Sequence, residues 1–99
     1  QVQNRKNKKW YDVPFNKNAL IVNTGLALEY LSMGKFKATN HRVLWNKTKR
    51  LSVPFFFEPS YDFKMSTSFL NDASNNTDKG VVFEKFLKKS LKKFIEYQR

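Results

Sequence analysis

The residues of this sequence best suited to chemistry lie close together: His41, then Arg50 and Ser52. His41 is the chain's one histidine, and a neutral imidazole is a good ligand for a transition metal. Arg50 and Ser52 form an Arg-x-Ser pair. A guanidinium offers a planar fork that matches a carboxylate, and a serine hydroxyl adds a third donor. Alternate residues of a strand share a face. Residues 39–45 and 50–57 both read as strands, and the polar residues 46–49 between them fit a turn. As antiparallel partners they would align Thr39, His41 and Val43 on one face. Arg50, Ser52, Pro54, Phe56 and Glu58 would share a face of the other, unless Pro54 marks a bulge that resets it. A metal ligand and a carboxylate anchor would then look into one cavity. The pattern alone leaves a second reading open, an ordinary half-buried histidine beside a chance Arg-x-Ser.

Other chemistries find less support. One histidine cannot build a multi-histidine zinc or iron site, and without cysteine there are no disulfides or thiolate zinc sites. No Ser-His-Asp pattern of known spacing is present. With three glycines there is no glycine-rich phosphate cradle.

The elements that would position these residues follow from local pattern. Residues 1–2 read as a strand end, 4–9 as a basic turn and 10–13 as extended. Pro14 also holds its predecessor extended. Residues 19–23 (ALIVN) are a short apolar run stopped by Gly25 and read as a buried strand. Residues 26–33 suit a short helix with Gly34 as its C-cap. Residues 50–57 give the strongest strand pattern, and Pro54 inside it favours an edge or a bulge. Residues 71–80 are a loop by composition. Residues 81–97 give the clearest helix, with Phe83, Phe86, Leu87, Leu91, Phe94 and Ile95 on one face and lysines mostly around the rest. Asn46-Lys47-Thr48 and Asn75-Asn76-Thr77 match the glycosylation pattern, which is common by chance. This order predicts a mainly β domain with appended helices.

The 99 residues suffice for one small domain, and ten phenylalanines argue for a packed core against disorder. The net charge of +11 points to two kinds of partner, nucleic acid or an anionic membrane surface. Yet 15 of the 19 basic residues are lysine, and arginine, the usual reader of bases and phosphates, is scarce. A solvated lysine surface accounts for most of that charge. No apolar run approaches the roughly 20 residues of a membrane helix. The chain starts at Gln1, so a native N-terminus and any targeting signal are expected upstream. The localisation expected is cytoplasmic.

The stretch ALIVNTGLALEYLSMGKFKATNHRVLWNKTKRLSVPFFFEPSYD resembles the C-terminal half of the catalytic core of the 2-oxoglutarate and Fe(II)-dependent oxygenases. The likeness is greatest to the branch that holds isopenicillin N synthase, aminocyclopropane-carboxylate oxidase and the plant flavonoid and gibberellin oxidases. The VNTG turn, LSMGKFKAT, the HRV strand, Arg-x-Ser and PFFFEPSYD occur in the family's order. QVQNRKNKKWYDV fits the paired strands before that turn. The likeness covers roughly residues 1–65, and the last helix fits it loosely.

The resemblance implies part of a double-stranded β-helix, a cupin-like jelly roll, over residues 1–65, then a loop over 66–80 and an amphipathic helix over 81–98. It implies Fe(II) held by two histidines and one carboxylate, with His41 as the second histidine. Arg50 and Ser52 would hold a carboxylate, that of the cosubstrate 2-oxoglutarate or, as in isopenicillin N synthase, one of the substrate, with Phe56 and Glu58 as candidate substrate-pocket residues. Ascorbate belongs among the cofactors it allows. The implied reaction is O2-dependent oxidation of a small organic substrate, with neither nucleic acid nor a membrane span involved. The sequence departs from the family twice. It holds no His-x-Asp, which supplies the other two ligands, and Leu26 stands where VNxGD has aspartate. The rest of the same polypeptide is therefore expected to complete the fold. The alternative function is a small basic module that binds nucleic acid or a membrane surface without catalysis.

Overall fold

The computed structural model describes residues 1–45, 49, 51–69 and 79–92. Its first element is a hairpin of two short strands, β1 (Val2–Gln3) and β2 (Trp10–Tyr11), paired antiparallel with Val2 opposite Tyr11. The basic turn between them closes through Asn4. Its Oδ1 accepts the amides of Lys6 and Asn7 at 2.9 and 3.2 Å, the local bond that makes asparagine a turn former. Lys8 closes the turn at φ 60°.

Residues 40–42 run antiparallel beside β1. The Gln3 amide donates to the Asn40 carbonyl and the Arg42 amide to that of Gln1, both at 2.9 Å, and Val2 bridges His41. The Arg42 guanidinium lies 4.2 Å from the Trp10 ring centroid, a cation–π contact that fastens this segment to β2.

Helix α1 (Leu26–Leu31) starts after Gly25 and ends in a Schellman motif. The Gly34 amide donates to the Glu29 carbonyl at 2.8 Å and that of Met33 to Tyr30 at 3.0 Å. The residue in the cap's left-handed position is thus Met33, at φ 49°, with Gly34 following at φ 78°. The sequence pattern put Gly34 in that role; the hydrogen bonds place the cap one residue earlier.

A second small sheet pairs β3 (Lys64–Met65) with β4 (Val81–Val82). Gly80 feeds β4 at φ 69°, and a Cβ there would lie 2.6 Å from the Met65 carbonyl oxygen, so only glycine passes. Between them lies a 3-10 turn, Thr67–Phe69. Helix α2 (Phe83–Leu91) follows β4 directly. Its first amides have no intrahelical acceptor; those of Phe83 and Glu84 donate to the Phe63 and Tyr61 carbonyls. Phe83, Met65 and Ser32 are fully buried, and Thr67 is nearly so. Tyr61 stacks on Phe83, and Tyr30 of α1 meets Phe86 of α2 at a 5.6 Å ring separation. The core therefore lies where α1, the 3-10 turn, β3–β4 and α2 converge.

Short strands followed by a longer helix are what the sequence leads one to expect, but several elements differ. Residues 19–23 form no strand, and Leu20, Ile21 and Val22 are exposed. Residues 39–45 contribute a bridge at His41 and no extended ladder. Residues 51–57 form no strand, and Leu51, Val53, Phe55, Phe56 and Phe57 stand in solvent. The physical reason is common to all three. A strand exists through its ladder, and a strand that is apolar on both faces needs cover on both. Among the described residues neither is supplied. The helix expected from residue 81 begins at Phe83, because Val81 and Val82 are taken by pairing with β3. Residues 46–48, 70–78 and 93–97, and with them both glycosylation patterns and the last turns of the expected helix, lie outside the described residues.

Candidate functional site

His41 bridges Val2 of β1, and the backbone just before it sets its chemistry. Its Nδ1 is 2.9 Å from the Thr39 carbonyl oxygen. A carbonyl only accepts, so Nδ1 carries the proton, and in the neutral ring Nε2 keeps its lone pair. Metal-bound histidines commonly donate their other ring N–H to a backbone carbonyl in this way, which fixes tautomer and orientation. The ring is exposed, so Nε2 is accessible to a ligand. The donor set is incomplete on its own. Among the described residues no group of three histidines or carboxylates could hold a metal ion.

The segment that carries His41 is held from three sides. From α1, Glu29 Oε2 accepts the Ala38 amide at 2.6 Å. From the hairpin turn, Arg5 Nη2 donates to the Ala38 carbonyl at 2.9 Å and stands 3.6 Å from Glu29. From the turn before α1, Thr24 Oγ1 donates to the Lys37 carbonyl at 2.6 Å, and its own carbonyl accepts the Thr39 amide at 2.9 Å. The Ala38 amide holds the Glu29 carboxyl below its usual range. Partial desolvation opposes this, and the nearby Lys37 and Arg5 add to it.

The remaining expected site residues are placed differently. Arg50 lies outside the described residues. Ser52, Phe56 and Glu58 are exposed, and among the described residues no hydrogen bond or ion pair joins Ser52 or Glu58 to His41. Among the described residues, the antiparallel pairing that would turn these side chains toward the histidine is not formed. Glu29, Arg5 and Thr24 escaped the sequence reading. One signal was available for Glu29, the single carboxylate between Asp12 and Glu58 in a strongly basic chain. Among the described residues no helix is long and apolar enough to cross a membrane.

Comparison with known proteins bears on this arrangement. The family profile of the 2OG-Fe(II) oxygenase superfamily matches residues 1–59. A flavonol synthase/flavanone 3-hydroxylase of Solanum tuberosum is 42% identical over 77 residues, covering 75% of this chain and 22% of that protein. The Petunia hybrida enzyme of the same name is 51% identical over 55 residues, 54% of this chain and 16% of its own length. A 1-aminocyclopropane-1-carboxylate oxidase of Arabidopsis thaliana is 31% identical over 84 residues, 84% of this chain and 26% of its own length. The chain thus spans between a sixth and about a quarter of the length of these relatives. No solved structure matches.

Proposed function

Because this chain belongs to the 2OG-Fe(II) oxygenase superfamily, we propose that it forms the C-terminal part of the catalytic core of a non-haem Fe(II), 2-oxoglutarate-dependent oxygenase. The observation that carries this reading is His41. A family match spans it, and its Nδ1–H is spent on the Thr39 carbonyl so that Nε2 is left to bind a metal. In this reading His41 supplies one of three protein ligands, and a His-x-Asp elsewhere in a longer polypeptide supplies the others. Residues 1–65 belong to the jelly roll, and the helix that begins at Phe83 follows it. Arg50 grips a carboxylate with its two-pronged fork and Ser52 adds one hydrogen bond. Phe56 and Glu58 line the substrate pocket once residues 51–57 are paired in the complete sheet.

Iron and 2-oxoglutarate, when bound, supply the oxidising power for O2-dependent oxidation of a small organic substrate. The protein's share is to orient the cosubstrate through Arg50, to present an imidazole of fixed tautomer through His41, and to exclude water with the apolar strand around Ser52. The printed names of the relatives span flavonoids and a cyclopropane amino acid, and selectivity among such substrates rests on residues beyond this stretch. The family match favours this enzyme over a basic module for nucleic acid or membranes.

Km for 2-oxoglutarate in the full-length protein, with iron content measured in parallel, tests the assignment. Removing one partner of a buried charged contact costs roughly 2 to 5 kcal/mol. Arg50→Ala therefore raises that Km at least about tenfold and leaves iron content unchanged. Arg50→Lys keeps the charge but loses the fork, and still weakens binding. His41→Ala does the reverse, losing iron and activity together. A shift in Km for a carboxylate-bearing substrate alone would assign the pair to the substrate, as in isopenicillin N synthase. If neither constant moves, the Arg-x-Ser assignment is wrong.

A further inference from the structure

We propose that Arg5 and Glu29 act as a positioning pair for His41, gripping Ala38 so that the following residues present the imidazole to the metal at a fixed angle. The inference rests on the reading of His41 as a ligand and goes beyond it, because neither residue touches the metal.

The geometry is specific. Ala38 has two backbone polar groups, and the pair takes both: its N–H goes to Glu29 Oε2 at 2.6 Å and its carbonyl to Arg5 Nη2 at 2.9 Å. The two side chains are themselves 3.6 Å apart, and Lys37 Nζ approaches the other Glu29 oxygen at 3.5 Å. Arg5 comes from the hairpin turn and Glu29 from α1, so the pair ties three chain segments at one residue. Ala38 is followed directly by Thr39, whose carbonyl fixes the His41 ring. The next bonds along the chain, Gln3 to Asn40 just before His41 and Arg42 to Gln1 just after it, anchor both sides of His41 to β1 and the residue that leads into it. The segment is therefore clamped before and after the histidine, and the Arg5–Glu29 grip sets the near end. Ligand geometry tolerates displacement of only about half an ångström before binding suffers. A shift at Ala38 rotates the Thr39 peptide and with it the acceptor that orients the ring. Arg5 and Glu29 are both partly exposed, so their contact with each other is screened and adds little to global stability. Their effect is local, on the direction in which His41 points.

The test uses the full-length protein, freed of metal, with Co(II) as the probe. Its dissociation constant is measured well below the thermal midpoint of each variant, beside Km for 2-oxoglutarate. Partners outside the ligand shell typically carry 10- to 100-fold in metal affinity. Glu29→Ala is expected near the lower end, about tenfold weaker, with Km for 2-oxoglutarate unchanged. Arg5→Met, which leaves the stronger Glu29 contact in place, is expected to weaken binding by less than that tenfold but measurably. Glu29→Gln keeps an oxygen for the Ala38 amide and restores most of the affinity. Equal Co(II) affinity in Glu29→Ala, Arg5→Met and the parent, with only the thermal midpoint lowered, would overturn the proposal and leave the pair a purely structural contact. Should Glu29→Ala fail to fold, Arg5→Met decides, since its side chain is exposed: unchanged affinity overturns the proposal, weakened affinity supports it. His41→Ala is the control. If it binds Co(II) like the parent, the ligand assignment itself falls and the positioning role with it, an outcome distinct from loss of the positioning role alone.

Discussion

Residues 37–42 and residues 51–57 stand in opposite conditions. The first segment is held by backbone and side-chain hydrogen bonds from the hairpin, from α1 and from Thr24. The second presents Leu51, Val53, Phe55, Phe56 and Phe57 to solvent, with Phe57 95% exposed. The contrast teaches what each segment depends on. The first is polar in its demands, and partners close by in the chain meet them. The second needs apolar cover on both faces, which no described residue provides. Monomeric proteins rarely leave contiguous apolar surface of this kind open. In the proposed oxygenase it is residues 51–57, with Leu20, Ile21 and Val22, that the remainder of the jelly roll must cover.

The sharpest way to break that comparison is to shorten the exposed side chains in the full-length protein. Phe55 and Phe56 are neighbours and point to opposite faces if the segment is a strand. At least one of Phe55→Ala and Phe56→Ala is then expected to destabilise the protein by about 3 kcal/mol, the usual cost of emptying a buried phenylalanine site. Denaturant unfolding measures it. Two near-neutral variants would mean that the segment stays uncovered in the whole protein, and the contrast would then lie in the fold and not in missing neighbours.

The same contrast explains what was legible in the sequence. The basic hairpin around Asn4, the helix ending near Gly34 and the apolar face of α2 were all readable, because short-range chemistry builds them: an asparagine turn, a C-cap, and a repeat of about 3.6 residues. Residues 19–23 and 51–57 have strand composition, but composition does not supply a ladder partner. For the site, the surroundings of His41 in the sequence marked it as a candidate ligand. The grip of Arg5 and Glu29 on Ala38 was not, since it joins residues 33 and 9 positions apart in the chain and no periodicity encodes such a meeting. Met33 as the left-handed cap residue was hidden for another reason. Glycine is the default there, and Gly34 stood next to it.

That cap offers a smaller perturbation confined to the well-tied side. Met33 sits at φ 49° with its side chain largely exposed. A left-handed conformation costs a non-glycine residue roughly 1 to 2 kcal/mol. Met33→Gly removes that cost, while the freer unfolded chain takes back about half a kcal/mol. The expected net gain is about 1 kcal/mol, seen as a higher thermal midpoint, with no change in the exposure of residues 51–57. A lower midpoint would show that Met33 contributes packing that its exposure does not suggest.

Acid offers the gentlest separation of the two regions. Residues 51–57 contain no titratable side chain, so lowering the pH leaves that segment's own charge unaltered. The clamp at Ala38 does depend on a charge. The Glu29 carboxyl is held below its ordinary value of 4.5, first by the Ala38 amide and then by Lys37 and Arg5, against a desolvation that pushes it up. A carboxyl whose folded pKa is depressed binds its proton less readily in the folded than in the unfolded state. Its stabilising contribution is therefore complete above 4.5 and is lost as the pH falls below that value through the folded pKa. Lys37 and Arg5 are the cations that face Glu29. The Ala38 amide proton reports the change directly, because its acceptor turns from carboxylate to neutral acid. Its chemical shift is expected to titrate below pH 4.5, whereas the Thr39 amide, bonded to the Thr24 backbone carbonyl, moves less. In Glu29→Gln the Ala38 titration disappears. An Ala38 amide that stays flat from neutral pH into acid would show that Glu29 does not hold it in solution, and the grip on the His41 segment would then rest on Arg5 and Thr24 alone.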